Sequence, residues 1–151
     1  MPFHEAPVLV IAVGLPGSGK STYFASIGAN PVSTDAIRLQ LADDATDQTI
    51  HSTVFATVRF LAMQRVLLHR PVTYIDATNL TVANRKQFFQ WAAEWGCVVD
   101  ALYFDTPVEV CQERNRKRNR VVPEDVIARM ASLLDPPTEA EGFRRVTTVR
   151  P

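Results

Sequence analysis

The chain has 151 residues, 46% hydrophobic and 21% charged, with sixteen Lys or Arg balanced by sixteen Asp or Glu. That is the make-up of one globular unit, able to bury roughly two-thirds of its unfolded surface, and ten prolines with six glycines exclude a collagenous or generally disordered chain. Zero net charge excludes a uniformly basic nucleic-acid coat while permitting a local basic patch.

Two cysteines, Cys97 and Cys111, are too few for a disulfide framework or a Cys-rich zinc site, and reduced, buried thiols are expected. His4, His51 and His69 are dispersed without metal-ligand spacing. The first apolar run, Val8 to Val13, is short and follows His4 and Glu5. No stretch approaches the ~20 apolar residues of a membrane span, so a cytoplasmic protein is expected.

Val8 to Val13 is continuously apolar between Pro7 and Gly14, as a strand buried on both faces would be. A helix is predicted over Lys20 to Ser26, then a brief strand at Val32-Ser33. Thr34-Asp35 reads as the start of a helix continuing through Ala36 to Leu41. Asp43 to Gln48 reads as an acidic surface loop. The next helix runs from about Ser52 to His69, with Val54, Val58, Leu61 and Leu68 as its apolar stripe and Arg65 interrupting it. Val72 to Ile75 reads as a strand ending at Asp76. Thr81 opens a helix to Trp95 that Gly96 stops, and its Phe88, Phe89, Trp91 and Trp95 are expected to supply core contacts. Strand Val98 to Phe104, a helix after Pro107, a helix over Glu124 to Leu134 and a last strand at Val146 to Val149 complete the chain. Strands alternating with helices predict an α/β fold: one domain over residues 1–151, a parallel sheet of about four to five strands and helices on both faces.

The strongest chemical signal is Gly14-Leu15-Pro16-Gly17-Ser18-Gly19-Lys20-Ser21, a full G-x-x-x-x-G-K-[ST] pattern between a strand and a helix. Glycines let the backbone curl round phosphate oxygens, so that successive N–H groups form an anion nest beside the positive end of the helix. Gly14, Pro16, Gly17, Ser18, Gly19, Lys20, Ser21 and Thr22 are therefore the expected binding loop for ATP. Lys20 is expected on the β- and γ-phosphates, and Ser21 on Mg²⁺.

Ligands of parallel sheets sit beyond the carboxyl ends of the strands, which singles out three further places. Asp35 follows the short second strand, and Arg38 lies three residues on, on the same helix face. A carboxylate there could orient an attacking hydroxyl, and an arginine could grip an acceptor phosphate; a helix cap and its solvated neighbour fit the spacing equally. Asp76 ends the third strand as a Walker B carboxylate does, supporting Mg²⁺ directly or through water. Arg114 to Arg120 holds five cations in seven residues, where small P-loop kinases place a lid over ATP.

Together these segments resemble the kinase domain of phage-type 5′-hydroxyl polynucleotide kinases. The matching stretches are Gly14 to Thr22, Ser33-Thr34-Asp35-Ala36-Ile37-Arg38, Ile75-Asp76-Ala77-Thr78-Asn79-Leu80, Arg114 to Arg118 and Val122 to Ile127, which cover about residues 8 to 134. The resemblance implies transfer of the ATP γ-phosphate to the 5′-OH end of DNA or RNA. It implies Lys20 as phosphate clamp, Ser21 as Mg²⁺ ligand, Asp35 as general base and Arg38 on the phosphate next to the acceptor nucleoside. Arg118 takes the place of the lid arginine on the γ-phosphate, Arg114 that of a nucleotide contact, and Asp76 that of a carboxylate supporting Mg²⁺ or Arg38; the lid spans about residues 114–122. The stretch from Arg118 to Pro123 is slightly short, so Arg116 and Arg120 compete with Arg118. A kinase for a small hydroxyl compound and an ATP-binding regulatory module are the alternatives.

Overall fold

A computed structural model describes residues 5–118 and 122–151. Five strands, β1 (Val8–Val13), β2 (Val32–Ser33), β3 (Val72–Asp76), β4 (Val98–Phe104) and β5 (Arg145–Val149), form one sheet in the order β2-β3-β1-β4-β5. Every pairing is parallel. Six helices connect them: α1 (Lys20–Ser26), α2 (Thr34–Ala42), α3 (His51–Leu67), α4 (Val82–Trp95), α5 (Val108–Arg116) and α6 (Glu124–Leu133). A short 3₁₀ turn at Glu139–Glu141 precedes β5. No helix of the described residues is long and apolar enough to cross a membrane.

The central strand explains the layers. Side chains alternate across a strand, and β1 is apolar at every position, so it feeds two cores. Leu9 and Ile11 join Ile37, Val54, Val58, Phe88 and Trp91 on the α2–α3–α4 side. Val10 and Ala12 join Phe24 of α1, Leu102 and Phe104 on the other. A third cluster, Leu15, Leu80, Cys111 and Ile127, sits under α5 and α6. Phe88 and Trp91 are buried, Phe89 packs edge-on against Phe143, and Trp95 packs against the core from its rim. Cys97 and Cys111 are free thiols, the second buried.

Two local expectations are corrected. Helix α2 starts at Thr34 as expected, but its cap is Ser33 and not Asp35: the Ser33 hydroxyl accepts from the Ala36 N–H at 3.2 Å. The buried stripe of α3 is Val54, Val58 and Ala62, spaced four apart, and Leu61 and Leu68 are exposed. Arg65 continues that stripe, because its guanidinium donates to the Val72 carbonyl at 2.8 Å and to Thr73 Oγ1 at 3.1 Å. The hydrogen-bonded end of that long side chain completes β3 rather than breaking the face.

One buried ion pair braces the site from behind. Arg85 is fully buried and forks onto Glu141, with Nε and Nη2 each 2.8 Å from a carboxylate oxygen. Its Nη1 donates to the Asn79 and Leu80 carbonyls at 2.8 and 3.1 Å. Removing one partner of such a pair strands the other charge in the core, so Glu141→Ala is expected to cost about 3–5 kcal/mol. Urea unfolding measures it; an unchanged midpoint would show the pair to be energetically idle.

Candidate active site

The phosphate loop is built where β1 leaves the sheet. The Gly14 N–H donates to the Thr78 carbonyl at 3.0 Å, and a Cβ on Gly14 would lie 2.7 Å from Ser18 Oγ and 2.9 Å from Phe104 Cβ. Gly17 has φ of +80°, and a Cβ there would lie 2.5 Å from the Cys111 carbonyl oxygen. Both positions therefore demand glycine. From the other side, Thr106 Oγ1 donates to the Ser18 carbonyl at 2.9 Å. The loop is thus held by the segment after β3, the turn after β4 and the first turns of α5. Ser18 Oγ is buried without a hydrogen-bond partner.

Lys20 Nζ donates to the Gly14 and Leu15 carbonyls at 3.0 and 2.8 Å. Burial lowers its pKa from 10.5 to about 8, against the opposing pull of Asp76 and then Asp35. Burial likewise raises the Asp76 carboxyl, and Lys20 pulls it back. Below pH 8 the lysine is mostly charged and ready for a polyphosphate. Above pH 8 it must take up a proton as the anion binds, because a bound anion raises its pKa. ATP affinity is therefore expected to be flat below pH 8 and to fall above it, with net proton uptake at pH 8.5–9; calorimetry in buffers of different ionisation enthalpy reads that proton directly.

Asp35 and Arg38 stand on the first turns of α2, just beyond the carboxyl end of β2. Arg38 is only 6% exposed. Its Nη1 lies 3.7 Å from Asp35 Oδ1, whose side chain is half exposed, and its Nε is buried without a hydrogen-bond partner. A buried guanidinium with an unmet donor is costly, and an incoming anion relieves that cost.

One cleft of about 1350 Å³ joins these groups. Its wall includes Pro16, Gly17, Ser18, Gly19, Lys20, Ser21 and Thr22, together with Asp35, Arg38, Asp76, Arg114 and Arg118. Gly14 stands behind the wall, its carbonyl taken by Lys20. Arg116 is paired with Glu124 and Lys117 lies 3.5 Å from Glu113, so these two cations face neighbours on α5 and α6. Arg120, with the rest of residues 119–121, lies outside the described residues, as does His4. Among the described residues no group of three His, Cys, Asp or Glu side chains could hold a metal ion. Ser21 and Asp76 share the cleft, and Mg²⁺ on a polyphosphate needs little more from protein, since waters and phosphate oxygens fill its shell.

Three contributors escape a reading of the sequence. Asn79, with φ of +48°, donates from Nδ2 to the Ala12 carbonyl at 2.8 Å and ties the chain after Asp76 to β1. Its Asp-Ala-Thr-Asn context signals a turn and falls in a stretch that carries the family resemblance, but neither assigns Asn79 this tie. Thr106 carries no local signal at all, because its role exists only once β4 lies beside β1. His51 is one of three dispersed histidines in the sequence, and in the fold it reaches the cleft wall.

Sheet, helices and loop define a P-loop, kinase-like, nucleotide-binding α/β fold. The sequence matches the AAA domain family over residues 9–137, and the chain belongs to that family. A chain of the Pnkp1/Rnl/Hen1 RNA repair complex is 27% identical and superposes with a TM-score of 0.74, over 87% of this chain and 45% of that one. The present chain thus spans less than half the length of that relative. A protein from Chloroflexus aurantiacus, given a kinase label only provisionally, is 17% identical with a TM-score of 0.75 over 98% and 87% of the two chains. The APS kinase CysC of Mycobacterium tuberculosis, solved with AMPPNP and APS, is 18% identical with a TM-score of 0.57 over 96% and 90%.

Proposed function

We propose that the chain is an ATP-dependent polynucleotide 5′-kinase. The observation that carries this reading is Arg38: a buried guanidinium with an unmet Nε donor, beside Asp35 and in the same cleft as the phosphate loop. An acceptor whose hydroxyl lies a few bonds from a phosphate, as at a 5′-OH nucleic-acid end, meets both side chains at once. ATP enters from the side of Arg114 and Arg118, the acceptor from the side of Asp35 and Arg38.

In the reaction, the acceptor oxygen forms a bond to the γ-phosphorus while the bond from that phosphorus to the β–γ bridging oxygen breaks, and ADP leaves. The acceptor's proton passes to the Asp35 carboxylate and then to water. Since phosphoryl transfer is loose and dominated by positioning and charge, the loop amides and Lys20 hold the β- and γ-phosphates, and Arg118, on the cleft wall just beyond α5, meets the transferring group. Ser21 and Asp76 would hold Mg²⁺, which would neutralise polyphosphate charge there.

Incubation with γ-labelled ATP and 5′-OH DNA or RNA ends tests the reading: label on the end supports it, and no label on any end rejects it. The likeness to an APS kinase favours a second reading, in which the acceptor is a small phosphorylated nucleotide. Both acceptors carry an anion for Arg38, but a strand placing several phosphates on the protein loses affinity more steeply with salt than a mononucleotide does.

A further inference from the structure

The acceptor side of the cleft has a third feature besides a carboxylate and a buried cation. His51, the first residue of α3, is exposed and lies on the ring of Phe55 one turn later, with centroids 4.7 Å apart and planes tilted by 41°. Both rings line the cleft that holds Asp35 and Arg38. Phe55 is anchored on its inner side by the main core, so the histidine rests on a fixed support.

The loop leading to it is fixed as well. Asp44 Oδ1 accepts from the Thr46 N–H and hydroxyl at 2.9 and 2.6 Å. Asp47 Oδ1 accepts from the Thr49 N–H and hydroxyl at 2.8 and 2.6 Å. Two such turns in succession lead into the head of α3. An aromatic surface held this way gives up little entropy when a second ring stacks on it.

We propose that His51, supported by Phe55, is the platform on which the base of the acceptor's terminal nucleoside stacks, so that the site prefers a nucleoside end to an acceptor without a base. This rests on the polynucleotide reading above. A hydroxyl at Asp35, an anion at Arg38 and a planar ring at His51 are three groups that one terminal nucleotide carries. A sugar or sugar acid supplies at most two of them.

The experiment compares two 5′-OH oligonucleotides that differ only at the first nucleotide, which carries its base in one and is abasic in the other. The full chain phosphorylates both with γ-labelled ATP, and the acceptor KM is measured for each. The wild type is expected to show a KM about tenfold higher for the abasic end, the size of one stacking contact. His51→Ala is expected to erase that difference, and His51→Phe to keep it, because any flat ring can stack; a merely structural histidine would not distinguish the two ends. Equal KM values in the wild type, or a preference that survives His51→Ala, overturn the platform alone. No label on either end overturns the polynucleotide reading and the platform with it.

Discussion

Lys20→Met is expected to reduce phosphoryl transfer by about 10³-fold, the order found when a fixed charge-stabilising donor is removed from a transition state. Methionine keeps the length and the apolar stem and deletes only the ammonium. That group sits on the Gly14 and Leu15 carbonyls, at the mouth of the loop, a short swing from any phosphate the loop amides hold. Its charge also pulls the Asp76 carboxyl back down against the effect of burial, so the variant has an Asp76 that is harder to ionise. Folding should not suffer, because burial disfavours the charged lysine and its loss removes that penalty. Single-turnover transfer together with thermal unfolding separates the two effects. A variant that unfolds early would relocate the role of Lys20 from chemistry to stability.

Asp35→Asn carries the second-largest effect, a loss of about 10²–10⁴-fold in transfer rate, the range for removing a positioned general base. The amide preserves shape and can still touch Arg38, but it cannot take the acceptor's proton. Because Asp35 stands on α2 rather than on the loop between β1 and α1, ATP affinity is expected to change little. Transfer in a rapid-quench single turnover, with nucleotide binding measured in parallel, checks both halves. An unchanged rate would remove Asp35 from the mechanism even if transfer to nucleic-acid ends were observed.

How much of this was readable beforehand depended on how local each feature is. The strand at Val8–Val13 is apolar at every position, and the loop after it is written in contiguous glycines, so both were legible. Helix α4 was equally plain, since Thr81 and Gly96 fix its ends by chemistry that involves only near neighbours. The α3 stripe was read from apolar residues alone. It therefore took in Leu61 and Leu68, which face solvent, and treated Arg65 as an interruption although its guanidinium completes β3.

The cleft itself was the least legible part. Thr106 and Cys111 shape the phosphate loop from more than eighty residues away in sequence, through a hydroxyl and a carbonyl that any residue pattern leaves silent. Asp35 and Arg38 were visible as a spaced pair, yet spacing cannot distinguish a solvated turn from a buried cation with an unmet donor; that distinction exists only in the folded chain, where Arg38 is buried and its Nε is unmet. His51 gave no signal until α3 brought it to the same wall.

The central claim is that donor and acceptor meet in one cleft, and a single ligand tests it: an adenosine polyphosphate joined through its last phosphate to the 5′-oxygen of a 3′-phosphorylated nucleoside. The predicted result is competition with both ATP and the oligonucleotide end, with affinity well above that of either alone, since linked ligands in adjoining sites raise each other's effective concentration into roughly the millimolar range. Competition with ATP only, at the affinity of ATP itself, would contradict the account.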